Sequence, residues 1–246
     1  SNVIDMSGMF SDAYVFNQGL SSWDTSKAIN MSSMFNGART FNQDLSSWDV
    51  AKVTGMYSMF SRAVDFNQDL SSWDVSNVII MSRMFDSAVN FNQDISGWDV
   101  SKVTGMWHMF SYALNFNQDL SGWDVSKVTD MSDMFKNAKA FNQVLNNWNV
   151  SSVTAMSDMF NQADAFNQDL SSWDVSKVTR MWRMFNGVAL STSNYDALLS
   201  GWSALPLQEN VNFSGGNSKY SSSAQGARDV LTNTYGWIVT DGGIDE

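Results

Sequence analysis

Hydrophobic residues return along this chain at a fixed interval of 25 residues, and polar residues fill most positions between them. One phenylalanine position recurs in seven successive copies, as Phe16, Phe41, Phe66, Phe91, Phe116, Phe141 and Phe166. The tryptophans from Trp23 to Trp173 and the Met-Phe pairs from Met9-Phe10 to Met184-Phe185 keep the same step. A fixed period of about 20–50 residues predicts stacked units, each covering the apolar face of its neighbour.

Two local patterns divide each copy. Met131, Met134, Phe135 and Ala138 have the i, i+3, i+4, i+7 spacing of one helix face, which predicts a short helix. The other half of a copy intersperses apolar residues with Asn, Gln, Asp and Ser, which disfavour a helix interior, so we predict a short strand near Gln43–Ser46 and its equivalents. The predicted fold is α/β: a leucine-rich-repeat-like solenoid with one short parallel β-strand and one short helix per coil.

The repeat occupies residues 1–190, as seven full coils after a partial first one, and its period fails after Phe185. We expect the Phe, Trp and Met columns to form a buried core. Residues 191–246 are predicted to be an α/β C-terminal cap that shields the last coil. Its expected elements are a helix with an Asn cap at Asn194–Ala204, a strand at Asn210–Phe213, a helix near Ala224–Thr234 and a strand at Trp237–Thr240.

The amino-acid composition excludes several classes of binding partner and of binding site. The net charge of −11 argues against nucleic acid or an anionic membrane surface. The chain contains no cysteine, which excludes disulfides and thiolate metal sites. No apolar run approaches the roughly 18 residues of a membrane span, so we expect no membrane insertion of this chain. Because Ser1 already lies inside a repeat, neighbouring repeats or domains are expected on its N-terminal side.

The consensus FNQDLSSWDVSKVTDMSDMF resembles the BspA-like bacterial surface protein repeats. These belong to the leucine-rich-repeat group and are also described as a Mycoplasma or Listeria-type lipoprotein repeat. The resemblance covers nearly all of residues 1–190, and the tail from Asn194 is similar to the closing segment of such arrays. It implies an extracellular or cell-surface protein that acts in adhesion or recognition, and it implies no catalytic residues.

One position of the predicted helix changes character between copies. Five copies carry serine there (Ser7, Ser32, Ser82, Ser132 and Ser157), which predicts exposure to solvent. Aromatic residues replace it elsewhere, and two further side chains lie close to one of them in sequence. The candidate binding patch therefore comprises Tyr57, Trp107, His108, Tyr112 and Trp182, suited to a protein or glycan ligand. Scattered surface aromatics are the alternative interpretation.

Acidic residues form a second candidate site. Asp44, Asp69, Asp94 and Asp119 recur on the predicted strand and should form a ladder of carboxylates. Calcium could be shared between neighbouring coils there, since it prefers carboxylate oxygens. No loop with several ligands at fixed spacing accompanies the ladder, so a solvated acidic face is the competing interpretation. We expect no other cofactor.

The sequence favours a non-enzymatic cell-surface module that binds protein or glycan through one face of the solenoid. Its carboxylates recur in nearly every copy, whereas an active site requires one distinctive constellation. A structural spacer or stalk is the first alternative. Ice binding is a minor alternative, which depends on an aligned but interrupted threonine column (Thr54, Thr104, Thr129, Thr154 and Thr179).

Overall fold

The computed structural model of the protein describes residues 3–245. Within residues 3–190 the described backbone forms no helix and no strand longer than one residue. Isolated parallel bridges instead join each copy to the next, at Asp5, Asn30, Gly55, Ile80, Gly105, Asp130, Ala155 and Arg180. Successive copies are therefore stacked in parallel, in a register of 25 residues.

The helix predicted from the Met-Phe spacing is wrong. A turn closes this segment where the N–H of Met134 donates to the carbonyl of Met131 (3.2 Å), and a second turn ends at Ala138. The third residue of the first turn, Asp133, has a φ of 57°. An α-helix cannot contain such a left-handed residue, because its hydrogen-bond pattern requires a negative φ throughout.

Hydrogen bonds between copies explain why turns replace the helix. The N–H of Asp133 donates to the carbonyl of Ser157, and that of Phe135 donates to Met159, both over 2.9 Å. These donors therefore serve the next copy and not an intrahelical ladder. Consecutive turns also direct apolar residues inwards at intervals of three and four, so their sequence pattern resembles that of a helix.

The strand predicted at Gln43–Ser46 is also wrong, because side chains connect the copies at that level. The N–H of Asn67 donates to Oδ1 of Asn42 over 3.0 Å, and Nε2 of Gln68 donates to the same oxygen over 2.9 Å. The same pair of bonds recurs from the copy of Asn17 to that of Gln168. An amide ladder thus takes the place of a backbone ladder.

The predicted core columns are buried, from the second copy onwards. Phe60 stacks on Phe85 of the next copy with ring centroids 5.7 Å apart. Each tryptophan is also fixed by a hydrogen bond, as where the indole N–H of Trp98 donates to the carbonyl of Leu70 over 3.1 Å. Trp98 is only 4% exposed. The indole therefore fills the core and satisfies a carbonyl of the preceding copy.

Regular elements begin only after the repeats. They are the helices α1 (Thr192–Ser203) and α2 (Gln225–Asp229), a 3-10 turn (Ser222–Ala224), a π-helical turn (Val230–Thr234), and the strands β1 (Asn212–Ser214) and β2 (Ile238–Thr240). All lie near their predicted positions. The predicted Asn cap is wrong, since Ser191 is the N-cap of α1 and its hydroxyl accepts from the N–H of Asn194.

These C-terminal elements continue the contacts of the repeat. The indole N–H of Trp202 in α1 donates to the carbonyl of Leu170 over 3.2 Å, as the repeat tryptophans do. Nδ2 of Asn194 donates to Oδ1 of Asn167 over 3.0 Å and so ends the amide ladder. Phe213 of β1 forms the last parallel bridge with the Met-Phe segment. The last copy is therefore covered by a unit that satisfies its hydrogen-bonding groups.

Candidate functional site

The aromatic position after the first methionine of each copy is not freely exposed. Tyr57 and Trp107 are half-buried, with ring centroids 6.0 Å apart and planes inclined by 50°. They belong to alternate copies, and Ser82 of the intervening copy is 1% exposed. The exposure predicted for this position is therefore wrong at Ser82 and also at Ser157, because turn backbones of adjacent copies pack around it.

The five predicted patch residues do not form one cluster. His108 lies edge-on to Trp107, with ring centroids 5.2 Å apart, and its Nε2 is 3.2 Å from Oδ2 of Asp133. Tyr112 is 45% exposed, and Trp182 is 50% exposed and belongs to a copy three repeats further along. The structure thus brings Tyr57, Trp107 and His108 together and leaves Trp182 apart.

A groove of about 340 Å³ opens beside Tyr57 on the face formed by the Met-Phe turns. Its walls come from three consecutive copies. The lining residues are Ser33, Asn36, Tyr57, Ser58, Ser61, Arg62, Arg83, Asp86 and Ser87. One aromatic ring, several hydroxyl groups, an amide and three charged groups therefore face the same small volume.

The charged residues of the groove are held in place by neighbours. The guanidinium of Arg83 lies 5.0 Å from the ring centroid of Trp107, and its Nε is 3.9 Å from Oδ2 of Asp86. Burial raises the pKa of Asp86 above its ordinary value, against the opposing effect of the Arg83 charge. Arg62 is paired with Oδ1 of Asp12 over 2.8 Å. Cations and carboxylates thus balance around the groove.

Two groove residues retain unused hydrogen-bonding capacity. Oδ1 of Asn36 and Nε of Arg83 are buried and have no hydrogen-bond partner among the described residues. Native proteins rarely leave a buried polar atom unpaired, since its lost hydration costs about 1–3 kcal/mol. Both residues also line the groove, so their side chains are among the polar groups next to a ligand bound there.

Sequence reasoning identified Tyr57 but missed Asn36, Arg83 and Asp86. These residues occupy positions that hold unrelated residue types in other copies, which favours an interpretation as variable surface. A usable signal was nevertheless present. Arg83 and Asp86 are charged where the preceding copy carries Ser58 and Ser61, and Tyr57 and Trp107 flank their copy in the repeat register.

The predicted acidic ladder is formed by exposed turn residues. Oδ1 of Asp44 accepts from the N–H of Ser46 over 2.8 Å, and the same bond occurs at Asp69, Asp94 and Asp119. The N–H of Ser46 lowers the pKa of Asp44 below its ordinary value. Among residues 3–245 no three His, Asp or Glu side chains gather closely enough to hold a metal ion. The ladder therefore caps turns, and calcium stays an untested hypothesis.

A further acidic column, formed by the aspartates that directly follow the core tryptophans, has the same turn geometry, as where Asp49 accepts from the N–H of Ala51 over 3.0 Å. Lysines lie three residues after most of these aspartates along the chain. Nζ of Lys52 donates to the carbonyl of Ser26 over 2.9 Å, and Nζ of Lys102 donates to Oδ1 of Asn77 over 2.7 Å. These lysines therefore connect neighbouring copies.

In the described part of the chain no helix is long and apolar enough to cross a membrane.

Comparison with known proteins identifies the family. No curated protein matches the sequence. The family described as "Mycoplasma protein of unknown function, DUF285" matches residues 1–97 and 116–214, which is most of the chain. The protein therefore belongs to the DUF285 repeat family.

Proposed function

We propose that this protein is a non-enzymatic recognition module that binds its ligand in the groove beside Tyr57. The observation that carries the proposal is the pair of buried, unpartnered polar atoms, Oδ1 of Asn36 and Nε of Arg83, at an open cavity with an aromatic wall. Small-ligand sites combine an apolar or aromatic surface with a few fixed polar groups, in cavities of about 300–1,000 Å³. The volume of the groove lies within this range, and its lining is mostly polar, with Tyr57 as its one aromatic ring.

A cell-surface location and a role in adhesion are further parts of the proposal, and the resemblance to BspA-like surface repeats supports them. The parallel register of 25 residues supports the interpretation of the stack as a leucine-rich-repeat-like solenoid. In such a stack each copy is coupled mainly to its neighbours, so single copies can diverge and form a site without disturbing distant copies. The copies around Tyr57 diverge in this way.

A structural spacer is the second candidate, favoured by the uniform stacking of the remaining copies. An array of cell-surface proteins and glycans separates the two functions. The wild-type protein should bind a specific ligand, and Tyr57→Ser should weaken that binding by at least about tenfold. The variant should fold, because other copies carry serine at this position.

Tyr112→Ser is the matched control, because it removes the same side chain from an exposed position outside the lining of the groove. Its binding should equal that of the wild type. A wild-type protein that binds nothing on the array would support the spacer. Equal losses in the two variants would place the ligand away from the groove.

A further inference from the structure

We infer that the groove beside Tyr57 binds a neutral sugar residue through two adjacent hydroxyl groups, which bridge Arg83 and Asp86. This inference rests on the proposed recognition function and names its ligand class. The groove offers one aromatic ring, hydrogen-bond donors and hydrogen-bond acceptors within one small volume, and a pyranose ring presents the complementary set.

The aromatic wall is preorganised. Tyr57 is half-buried and leans against Trp107, so its ring is held in place before any ligand arrives. An aromatic ring can pack against the apolar C–H face of a sugar while the hydroxyl groups at the rim point towards polar side chains. Fixing the ring in advance also lowers the entropy lost on binding.

Arg83 and Asp86 form a donor and acceptor pair suited to neighbouring hydroxyls. Trp107 supports the guanidinium, and the buried Nε of Arg83 has no hydrogen-bond partner among the described residues. The distance between Oδ2 of Asp86 and Nε of Arg83 is 3.9 Å, which is beyond hydrogen-bond distance. One hydroxyl can therefore donate to the carboxylate while the adjacent hydroxyl accepts from the guanidinium.

The charge balance favours a neutral ligand. Arg62 is paired with Asp12, and Arg83 faces Asp86, so the two cations of the groove are matched by two carboxylates. An acidic sugar would bring a further carboxylate close to Asp86, within a protein whose net charge is −11. Like charges at such separations repel, and the repulsion is stronger in a partly buried site than in water.

A similar Arg-Trp pair elsewhere in the stack provides a control. The guanidinium of Arg183 lies 5.2 Å from the ring centroid of Trp182, and its Nε is 3.6 Å from Oδ1 of Asp158. Asp158 is also engaged by Lys136 and by a hydrogen bond from Asn161, whereas Asp86 accepts a hydrogen bond from the hydroxyl of Ser87. Arg183 is not among the residues that line the groove, so its replacement tests general effects of removing an arginine.

The test uses titration calorimetry and array binding with neutral hexose oligosaccharides and with uronic, sialylated and sulfated ones. The wild type should bind a neutral oligosaccharide and discriminate against its acidic counterpart. Arg83→Gln and Asp86→Asn should each weaken binding by about tenfold or more, since each disturbs one of the two contacts. Arg183→Gln should bind as the wild type does, and thermal melts should verify that all variants are folded.

Other outcomes overturn the inference in distinguishable ways. Preference for acidic sugars, or tighter binding by Asp86→Asn, would overturn the neutral-ligand assignment and leave recognition at the groove intact. If the protein bound a protein ligand and Tyr57→Ser abolished that binding, the neutral-sugar assignment would likewise be overturned and recognition at the groove would stand. Unchanged sugar binding by folded Arg83→Gln would overturn the role of the pair. Absence of any ligand would overturn both the inference and the proposed function.

Discussion

Left-handed backbone conformations recur in the turns of each copy. The third residue of each turn has a positive φ, whether it is Asp133, Asn137 or Gly37. Asn, Asp and Gly tolerate this conformation better than other residues do. Residues such as Arg62 and Tyr112 nevertheless occupy equivalent positions, so the signal for turns was partial, and the helical spacing of the apolar residues obscured it.

Replacing Gly37 by alanine should destabilise the protein by about 1–2 kcal/mol. Its φ is 76°, and an added Cβ would lie 2.5 Å from Oδ1 of Asp12. Gly97 is the control: nothing lies within 4 Å of an added Cβ, so its change to alanine should alter stability by less than about 0.5 kcal/mol. Urea unfolding of both variants measures the difference, and equal losses would contradict the strain at Gly37.

Carboxylates that accept turn N–H groups should make the stack sensitive to acid. The N–H of Ser71 lowers the pKa of Asp69, and that of Ser96 lowers the pKa of Asp94. A lowered folded-state pKa adds stability above the unfolded-state pKa of about 3.9, and this stability disappears as the pH falls through the folded-state value. The melting temperature of the wild type should therefore drop below about pH 4.

The double variant Asp69→Asn with Asp94→Asn should lose less stability over the same acid range. Its amide oxygens can still accept from the turn, as Oδ1 of Asn149 does from the N–H of Ser151 over 3.2 Å. Thermal melts between pH 7 and pH 2 compare the two proteins, and identical pH profiles would show that these carboxylates do not contribute to the acid sensitivity.

Thermal melts also test the calcium hypothesis. The melting temperature of the wild type should be the same in chelator and in calcium. Stabilisation by calcium that the double variant loses would support a shared metal ion at the acidic ladder.

At the scale of the element, the fold could be predicted where one residue type repeats at a fixed spacing. It could not be predicted where the structure depends on which group a polar side chain bonds to. The period, the buried columns and the C-terminal elements follow from apolar spacing alone. The Asn42 ladder does not, since asparagine side chains bond locally in turns as readily as across copies. The groove escaped prediction for another reason: Arg83 and Asp86 occupy positions that hold unrelated residue types in other copies, which is typical of a variable surface.

Trp98 tests how much the hydrogen bond between elements contributes beyond burial. Trp98→Phe keeps most of the buried ring but leaves the carbonyl of Leu70 without its indole donor, so stability should fall by about 1–3 kcal/mol. Trp98→Ala should cost about 3–5 kcal/mol, because it also opens a cavity. Trp182→Phe, at an exposed ring, should change stability by less than about 0.5 kcal/mol. Denaturant unfolding would contradict the hydrogen bond if Trp98→Phe matched Trp182→Phe.

At the scale of the whole molecule, the last copy depends on the close approach of α1. Gly201 of this helix lies against the backbone of the repeat, and an added Cβ would be 2.3 Å from the carbonyl oxygen of Ser171. The same helix carries Trp202, whose indole bonds to Leu170. A side chain at Gly201 must therefore push α1 away from the surface that it covers.

Gly201→Ala should lower the melting temperature and loosen the stack from its C-terminal end. Alanine favours a helix over glycine by about 1 kcal/mol, so a loss of stability would show that the lost contact exceeds this gain. Gly226→Ala in α2 is the matched control, because nothing lies within 4 Å of its added Cβ, and it should be neutral or stabilising. Stacked copies are coupled mainly to their neighbours, so hydrogen exchange in Gly201→Ala should accelerate most in residues 166–190 and less in residues 91–115. Uniform acceleration along the chain would mean that the copies unfold as one unit, and unchanged exchange would mean that α1 does not protect the last copy.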